Sequence, residues 1–226
     1  MTTWDVTTLP TLIRHLLDLV GPLDDLPYPA VFAVDGRGGA GKTTLTRAIT
    51  ALYPSAQVLC IDDLAWNEPF YQWDYLLVAA LTELRHTGVL DLVPPAWQAH
   101  HVEGSINISS CPLVIVEGSG AGMRAVNGLI DAHVWVQTDD DVAEQRRIRH
   151  NIAEGVNGDD QESACFWYQW MAAERAFFAV DRPWERADVI VAGQDPQGLA
   201  DREVAWVRGP LGPAGPAGPR PGTTGE

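Results

Sequence analysis

Lysine is almost missing from this sequence, which has 15 lysines and arginines in total but only one lysine, Lys42. Cysteine is also scarce: Cys60, Cys111 and Cys165 are far apart in the chain, and each lies near an apolar segment. Three scattered cysteines exclude a disulfide framework and the paired spacing of a zinc site. This scarcity of cysteine indicates a reduced, cytoplasmic protein.

Positive charge and long apolar runs are missing as well. The formal net charge is −15, whereas binding to nucleic acid or to an anionic membrane depends on clustered lysine and arginine. We therefore expect no nucleic-acid partner and no membrane partner. No segment reaches the roughly 18 apolar residues that a membrane span needs, and the residues after Met1 have neither a basic start nor an apolar run. These absences favour a protein that is soluble and not exported.

Five short apolar runs have the composition of buried β-strands, and helical patterns separate them. The runs are 30–35, 56–61, 112–118, 132–137 and 187–193, and the helical patterns are 42–53, 73–86, 139–153 and 161–178. Strands that alternate with helices predict an α/β fold whose parallel sheet is covered by helices on both faces.

We divide the chain into three parts. Residues 1–29 contain an amphipathic leading helix, predicted over about 8–20, and a linker. Residues 30–208 form one α/β domain. Residues 209–226 are rich in glycine and proline, but their Gly-Pro-X triplets are too few for a collagen triple helix. We expect this tail to be disordered.

The segment GRGGAGKT follows the first predicted strand and fits G-x-x-x-x-G-K-[ST], the phosphate-binding P-loop. Glycines let successive main-chain N–H groups point inward and cradle phosphate oxygens, while the next helix presents its N-terminus to the negative charge. We expect Lys42 to reach the β- and γ-phosphates and the Thr43 hydroxyl to help hold Mg²⁺. The predicted nucleotide-binding residues are Gly36, Gly38, Gly39, Ala40, Gly41, Lys42, Thr43 and Thr44.

The P-loop alone does not identify the reaction, and the rest of the sequence separates three classes. A regulatory GTPase needs Asn-Lys-x-Asp to read guanine, which this chain cannot contain because its single lysine is in the P-loop. A motor-type or AAA-type ATPase usually ends its second acidic strand with Asp-Glu, whereas Glu117 is followed by glycine. A small-molecule kinase needs a carboxylate to accept the hydroxyl proton, and arginines to neutralise the moving phosphoryl group. The sequence favours the kinase because it can supply both.

Carboxylates follow two predicted strands, at the edge where a parallel sheet opens its binding crevice. Asp62 and Asp63 come at the end of the second strand, and either one can instead cap the next helix. Glu117 ends the third strand, where the alternative is a carboxylate bonded only to loop backbone. The arginines on the helix after the fourth strand can also form a solvated charge run. They are Arg146, Arg147 and Arg149.

Several segments resemble, in order and spacing, the uridine kinase and phosphoribulokinase-like branch of P-loop kinases. They are VDGRGGAGKTTL, CIDDLAW, WDYLLVAAL, LVIVEGSGAG, VWVQTDDDVAEQRRIRHN and RADVIVAG, within about residues 30–193. The resemblance implies a P-loop NTPase fold with a five-stranded parallel sheet in the order 2-3-1-4-5. It also implies that Asp62 is the catalytic base, that Glu117 lies near Mg²⁺ and the acceptor, and that Asp74 holds ribose hydroxyls.

The chain departs from this branch in two segments. Where the nucleoside kinases have a proline and then Tyr-Asp near the base-binding pocket, this chain has VPPAWQAHH, and Trp97 is the candidate acceptor contact there. The resemblance places a mobile lid near 146–160. Arg146 and Arg149 keep the arginine spacing of that lid, but His150 follows in place of aspartate.

Aromatic residues form a stripe at helical spacing on the last predicted helix. They are Phe166, Trp167, Trp170 and Phe177. Core packing explains this stripe more simply than a platform on which a base would stack.

The sequence thus predicts a kinase that uses ATP and Mg²⁺ to phosphorylate a hydroxyl of a small, nucleoside-like molecule. The catalytic candidates are Asp62, Lys42, Glu117, Arg146 and Arg149; the metal ligands are Thr43 and Glu117; the acceptor contacts are Asp74, Asp62 and Trp97. The alternative is a regulatory protein or pseudo-enzyme that binds ATP without transferring phosphate, and the carboxylates beside the P-loop weigh against it. The identity of the acceptor, the choice between ATP and GTP and the formation of a homo-oligomer are left open.

Overall fold

The protein is built on a seven-stranded sheet with helices on both faces. The computed structural model describes residues 4–154, 160–195, 198–200 and 202–210. The strands are β1 (Asp5–Thr8), β2 (Ala30–Gly36), β3 (Gln57–Cys60), β4 (Leu90–Leu92), β5 (Ile106–Ile108), β6 (Leu113–Glu117), β7 (Ala132–Gln137), β8 (Val189–Ala192) and β9 (Glu203–Arg208). The helices are α1 (Leu9–Val20), α2 (Lys42–Leu52), α3 (Ile61–Leu64), α4 (Asp74–Thr87), α5 (Pro95–Ala99), α6 (Asp140–Glu154) and α7 (Asp160–Asp181).

The strand order across the large sheet is β1-β9-β8-β7-β2-β6-β3, and β4 and β5 form a separate pair. Strands β8, β7, β2, β6 and β3 are parallel, whereas β9 pairs antiparallel with both β8 and β1. The predicted α/β class is confirmed. The prediction of five strands is wrong, and the order of the complete sheet differs from 2-3-1-4-5, because β9 and β1 extend one edge.

The sequences of the two added strands, β1 and β9, lack the long apolar runs that predict a buried strand. β1 reads DVTT and has no buried residue, so it carries neither an apolar run nor a clear alternation. β9 reads EVAWVR, and Ala205 is its only buried residue. Both strands are held mainly by antiparallel pairing at the edge of the sheet, which short polar segments can satisfy as well as apolar ones.

The apolar character of the central strands reflects burial on both faces. In β2, Val31 and Ala33 belong to the core that includes α4, while Phe32 and Val34 belong to the core that includes α1 and α2. These four side chains are at most 1% exposed. Since α1 packs in the second core, the predicted leading segment 1–29 contributes to the same core as the sheet.

The parallel register brings three strand ends to one edge of the sheet. β2 ends at Gly36, β3 at Cys60 and β6 at Glu117. Cys60 pairs with Glu117 in the ladder, and Val34 pairs with Glu117 on the other side. The residues that follow β2, β3 and β6 are therefore neighbours, as expected for the carboxyl ends of parallel strands.

Two predicted segments extend beyond the described residues. The predicted lid near 146–160 includes 155–159, and the predicted disordered tail includes 211–226; both of these ranges lie outside the described residues. Within the described part of the chain, no helix combines the length and the apolar character needed to cross a membrane.

Candidate functional site

The loop between β2 and α2 has the backbone that a phosphate cradle requires. Gly39 and Gly41 have φ angles of 80° and 106°, a region that residues with side chains rarely adopt. A Cβ on Gly39 would lie 2.2 Å from the main-chain oxygen of Ala143, so glycine is required sterically as well. α2 begins at Lys42 directly after the loop. The free N–H groups of its first turn therefore face the same space as the loop.

The start of α2 and the end of β6 bring together an ammonium, a hydroxyl and a carboxylate. The Lys42 ammonium donates a hydrogen bond of 2.8 Å to the main-chain oxygen of Arg37. The Thr43 hydroxyl donates to Oε1 of Glu117 at 3.2 Å. Burial raises the pKa of Glu117 above its ordinary value; the nearby charge of Lys42 opposes this shift, and that of Asp62 adds to it.

A pocket of about 500 Å³ lies along the P-loop at the carboxyl edge of the sheet. Its wall contains nine of the predicted site residues: Gly38, Gly39, Gly41, Lys42, Thr43, Thr44, Asp62, Glu117 and Arg146. Two further predicted residues, Gly36 and Ala40, belong to the loop without lining the pocket. Ala40 is buried, and its main-chain oxygen accepts a hydrogen bond of 2.8 Å from the Thr138 hydroxyl. The predicted phosphate, metal and base residues thus share one pocket.

The two aspartates after β3 have different surroundings. Both lie in the single turn of α3 rather than at the end of the strand. Asp62 lines the pocket. The main-chain oxygen of Asp63 accepts a hydrogen bond of 3.1 Å from Nε1 of Trp97, and burial, followed by the charge of Asp62, raises the pKa of the Asp63 carboxyl. Of the two, only Asp62 is on the pocket wall, and Trp97 holds the turn that carries it through a hydrogen bond.

Asp74 begins α4 and is exposed. Neither Asp74 nor Trp97 is part of the pocket wall. Of the three predicted acceptor contacts, only Asp62 is on the pocket wall; Trp97 contacts the turn that carries Asp62 without lining the pocket.

The arginines of α6 are arranged differently from the predicted pair. Nη1 of Arg146 donates a hydrogen bond of 2.7 Å to the main-chain oxygen of Gly193 at the edge of the pocket. Arg147 also lines the pocket, and its guanidinium lies 6.0 Å from the ring centre of Trp167. Arg149 is exposed and donates back to Gln145 of its own helix. Arg147 is therefore the second arginine at the pocket, although family spacing favoured Arg149.

Asp35 is a fully buried carboxylate that the motif did not single out. Its side chain accepts hydrogen bonds from the main-chain N–H groups of Gly36, Gly120 and Gly122 at 2.7, 2.8 and 3.0 Å. Asp35 thus fastens the loop after β6 to the start of the P-loop. The signal in the sequence is an aspartate at the end of an apolar strand, immediately before the first glycine of the motif.

The aromatic residues of α7 differ in their surroundings, and one of them lines the pocket. Trp167 is 2% exposed, as core packing predicts. Trp170, in contrast, is only partly buried and lines the pocket. Its ring is nearly parallel to that of Trp73, with centres 6.0 Å apart, and meets the ring of Phe70 edge to face at 5.1 Å. Core packing therefore describes only part of the stripe, since Trp170 also offers ring surface to a ligand.

The donor set is suited to a metal ion that shares its ligands with phosphate. Among the described residues, no group of three or more His, Cys, Asp or Glu side chains could hold a metal ion. Mg²⁺ commonly keeps several waters and binds through one or two protein oxygens together with substrate phosphates. The Thr43 hydroxyl and the Glu117 carboxylate, 3.2 Å apart, are suitable protein oxygens of this kind.

The chain is similar to known P-loop kinases, although no protein-family model matches it. A uridine kinase from Streptococcus gordonii is 24% identical over 194 residues, which is 77% of this chain and 89% of that protein. Two solved structures share the fold. A proposed fructose transport system kinase from Silicibacter sp. has a TM-score of 0.59 and 19% identity, and covers 76% of this chain and 95% of its own. A possible uridine kinase from Bacillus stearothermophilus has a TM-score of 0.52 and 17% identity, and covers 80% of this chain and 96% of its own.

These similarities confirm the resemblance to P-loop kinases of the uridine kinase type. The two structural neighbours establish the fold: an α/β domain with a mostly parallel central sheet.

Proposed function

We propose that the protein is a phosphotransferase that uses Mg²⁺ and ATP to phosphorylate a hydroxyl group of a small, nucleoside-like molecule. The observation that carries this proposal is the position of Asp62. Its carboxylate lies on the wall of the same pocket as the P-loop residues Lys42 and Thr43. A carboxylate at this place can accept the proton of an acceptor hydroxyl, which favours a transferase over a protein that only binds the nucleotide.

The donor phosphates are assigned to the P-loop and the first turn of α2. Main-chain N–H groups of the glycine loop surround the β-phosphate, and Lys42 compensates the charge of the β- and γ-phosphates. Thr43 and Glu117 would hold Mg²⁺, which would neutralise charge at the phosphate oxygens. The fit of this loop to a nucleotide and Mg²⁺ rests on its two left-handed glycines and on the hydroxyl and carboxylate near the N-terminus of α2.

Asp62 is assigned as the general base. The acceptor hydroxyl oxygen forms a bond to the γ-phosphorus, the bond from this phosphorus to the bridging oxygen of ATP breaks, and ADP leaves. The hydroxyl proton moves to the carboxylate of Asp62. Arg146 and Arg147, both on the pocket wall, are assigned to compensate the charge of the phosphoryl group in transfer.

The nucleoside-like character of the acceptor is supported by two observations. Relatives of this chain are named uridine kinase, and the aromatic residue Trp170 lines the same pocket as Asp62. A flat base or sugar ring can pack on an aromatic side chain. A role for Asp74 or Trp97 in acceptor binding stays a prediction from the resemblance.

The proposal is tested by a screen for phosphate transfer from labelled ATP to nucleosides and other small hydroxylated molecules, followed by two variants. Asp62→Asn keeps the size of the side chain and removes the proton acceptor. Since general base catalysis contributes about 10²- to 10⁴-fold, we expect kcat to fall by this order while the affinity for ATP is unchanged. Asp63→Asn is the matched control and should retain most of the activity. Thermal melting checks that both variants are folded.

The outcomes separate the proposal from its alternatives. Loss of activity in Asp63→Asn but not in Asp62→Asn would assign the base to the other aspartate. Full activity in both variants would make Glu117 the candidate base. Tight binding of ATP by the wild-type protein without transfer to any acceptor would favour a regulatory, nucleotide-binding protein instead.

A further inference from the structure

Glu174 is a buried carboxylate of α7 that neither the P-loop motif nor the proposed reaction uses. Glu174 is only 3% exposed. Oε1 accepts a hydrogen bond of 2.8 Å from the main-chain N–H of Gly38, the third residue of the P-loop motif. α7 therefore contacts the nucleotide loop through a charged group, at a separation of 136 residues along the chain.

The same carboxylate oxygen is shared with two hydroxyl groups. The Ser119 hydroxyl donates to Oε1 of Glu174 at 3.2 Å, and the Tyr71 hydroxyl lies 3.3 Å from it. The two hydroxyl oxygens are 2.6 Å apart, so Tyr71 can donate to Ser119 while Ser119 donates to Glu174. Because Ser119 lines the pocket just after Glu117, Glu174 connects the P-loop with the loop that follows β6.

Tyr71, a member of this network, has an unusual backbone conformation. Its φ angle is 58°, in the left-handed region, which is costly for an aromatic residue and persists only where the surroundings impose it. Its ring stacks on that of Phe177 of α7, with centres 4.4 Å apart and planes at 14°. The hydroxyl network and the ring packing together hold this strained residue against α7.

α7 is also in steric contact with the P-loop. A Cβ on Gly38 would lie 2.8 Å from the indole ring of Trp167. Arg37, the second residue of the motif, does not line the pocket. Its Nε lies 3.3 Å from Asp140 of α6, and its Nη1 lies 3.9 Å from the second carboxylate oxygen of Glu174. The outer face of the loop is thus held by α6 and α7, while the inner face lines the pocket.

We propose that Glu174 is a positioning residue that holds the P-loop in its nucleotide-binding conformation by accepting the Gly38 N–H. This proposal rests on the nucleotide binding of the proposed function, but not on the transfer step. The bond to Gly38 orients the loop from outside, so that the N–H groups of the following residues are free for phosphate. Without it, the half-buried N–H of Gly38 loses its acceptor, and the loop occupies its binding conformation for a smaller fraction of the time. The apparent dissociation constant rises as that fraction falls.

The test measures the affinity of the full-length protein for a fluorescent ATP analogue with Mg²⁺, which needs no acceptor. Glu174→Ala removes the hydrogen-bond acceptor, and Glu174→Asp keeps the charge but withdraws the carboxylate from Gly38 by one methylene. We expect both variants to bind the analogue about tenfold more weakly. Glu174→Gln keeps both the reach and an acceptor oxygen, and should remain within about threefold of the wild type. Glu83→Ala, an exposed glutamate of α4, is the control and should bind like the wild type.

The pattern across these variants distinguishes positioning from a general effect on stability. Melting temperatures are measured in parallel, because a residue that only stabilises the fold would lower Tm and leave the affinity of the folded protein unchanged. Lower Tm with wild-type affinity in the Ala and Asp variants would overturn the proposal. Weakening of the Gln variant to the level of the Ala variant, with wild-type affinity in the Asp variant, would also overturn it, since the charge and not the bond to Gly38 would then be required. If Glu174→Ala does not fold, the Asp and Gln pair decides by the same criterion.

Failure of this inference can be told apart from failure of the proposed function. Wild-type binding of the analogue, with the expected variant pattern but no transfer to any acceptor, would support Glu174 as a positioning residue and remove the kinase proposal. Wild-type binding and transfer without the pattern would remove the inference alone. Absence of nucleotide binding in the wild-type protein would overturn both.

Discussion

The two ends of the pocket are built in different ways. At the phosphate end, the lining residues come largely from one continuous segment, residues 38–45, and the loop offers mainly main-chain N–H groups. Other lining residues come from distant elements: Asp62 after β3, Ser119 after β6 and Trp170 in α7. Main-chain groups bind the phosphates that all nucleoside triphosphates share, whereas side chains select a partner by shape and polarity. Changes at the two ends should therefore have separable effects on donor and acceptor.

The largest effect is expected at the phosphate end, from Lys42→Ala. This substitution removes the only ammonium group of a side chain in the protein, and with it a charge that the phosphates meet in the ground state and in the transition state. We expect kcat to fall by about 10²- to 10³-fold and the affinity for Mg²⁺ and ATP to fall by about 10- to 100-fold, measured by labelled phosphate transfer and by calorimetry. Arg47→Ala, on the exposed side of the same helix, is the control. Unchanged nucleotide binding in Lys42→Ala would refute the P-loop assignment.

A smaller effect, on the acceptor alone, is expected from Trp170→Ala. Loss of an aromatic surface on which a ring packs costs about 1–3 kcal/mol, so the acceptor KM should rise about tenfold while the KM for ATP stays the same. Tyr168→Ala, which removes an aromatic side chain 58% exposed on the same helix, should leave both constants unchanged.

Asp74→Asn tests the competing acceptor contact implied by the family resemblance. Because Asp74 is exposed and outside the pocket wall, its substitution should change the acceptor KM less than Trp170→Ala does. A larger effect would place the acceptor over α4 instead of against α7.

The smallest effect concerns Glu117, where the two ends meet. The pKa of Glu117 is raised by burial. Ionisation of this carboxyl therefore lowers the free energy of unfolding, and the loss of stability is complete once the pH has risen through the pKa that Glu117 has in the folded protein. Glu117→Gln resembles the protonated form. In the absence of nucleotide and metal, we expect it to melt at a higher temperature than the wild type at pH 7, and the difference should shrink as the pH is lowered.

The same variant should bind Mg²⁺ and ATP more weakly, because an amide is a poorer ligand for Mg²⁺ than a carboxylate. Because the pKa of Glu117 is raised, the wild-type protein should begin to lose metal affinity on acidification at a higher pH than it would if this glutamate had its ordinary pKa. A Glu117→Gln protein that melts below the wild type at pH 7 would show that the ionised carboxylate stabilises the fold, contrary to this prediction.

Prediction from the sequence succeeded where the signal is local. The strand before the P-loop, the left-handed glycines and the helix that begins at Lys42 are neighbours in the chain, and the motif defines all three. The central parallel strands are recognisable because burial on both faces makes them continuously apolar. The edge strands β1 and β9 lack that signature, since pairing with a neighbour stabilises them without full burial.

The arginines of α6 show the limit of motif spacing. Arg146, Arg147 and Arg149 are nearly adjacent in the chain, and spacing alone favoured the first and the last. The rotation of the helix about its axis decides which two of the three arginines face the pocket, because the side-chain direction turns by about 100° from one residue to the next. That rotation is decided by the packing of α6 against the P-loop, where Ala143 lies beside Gly39, and not by a pattern within the helix.

By itself, the sequence determined the glycine loop between β2 and α2, the alternation of strands and helices and the carboxylates at or just after the strand ends, because these depend on neighbouring residues and on the parallel register of buried strands. Only the tertiary structure decided the two added strands, the place of Arg147 and Trp170 at the pocket and the bond between Glu174 and Gly38. Each of these depends on how distant elements pack. A helix such as α7 carries many aromatic and charged residues, and only its docking against the loop determines which of them meets a main-chain N–H 136 residues away.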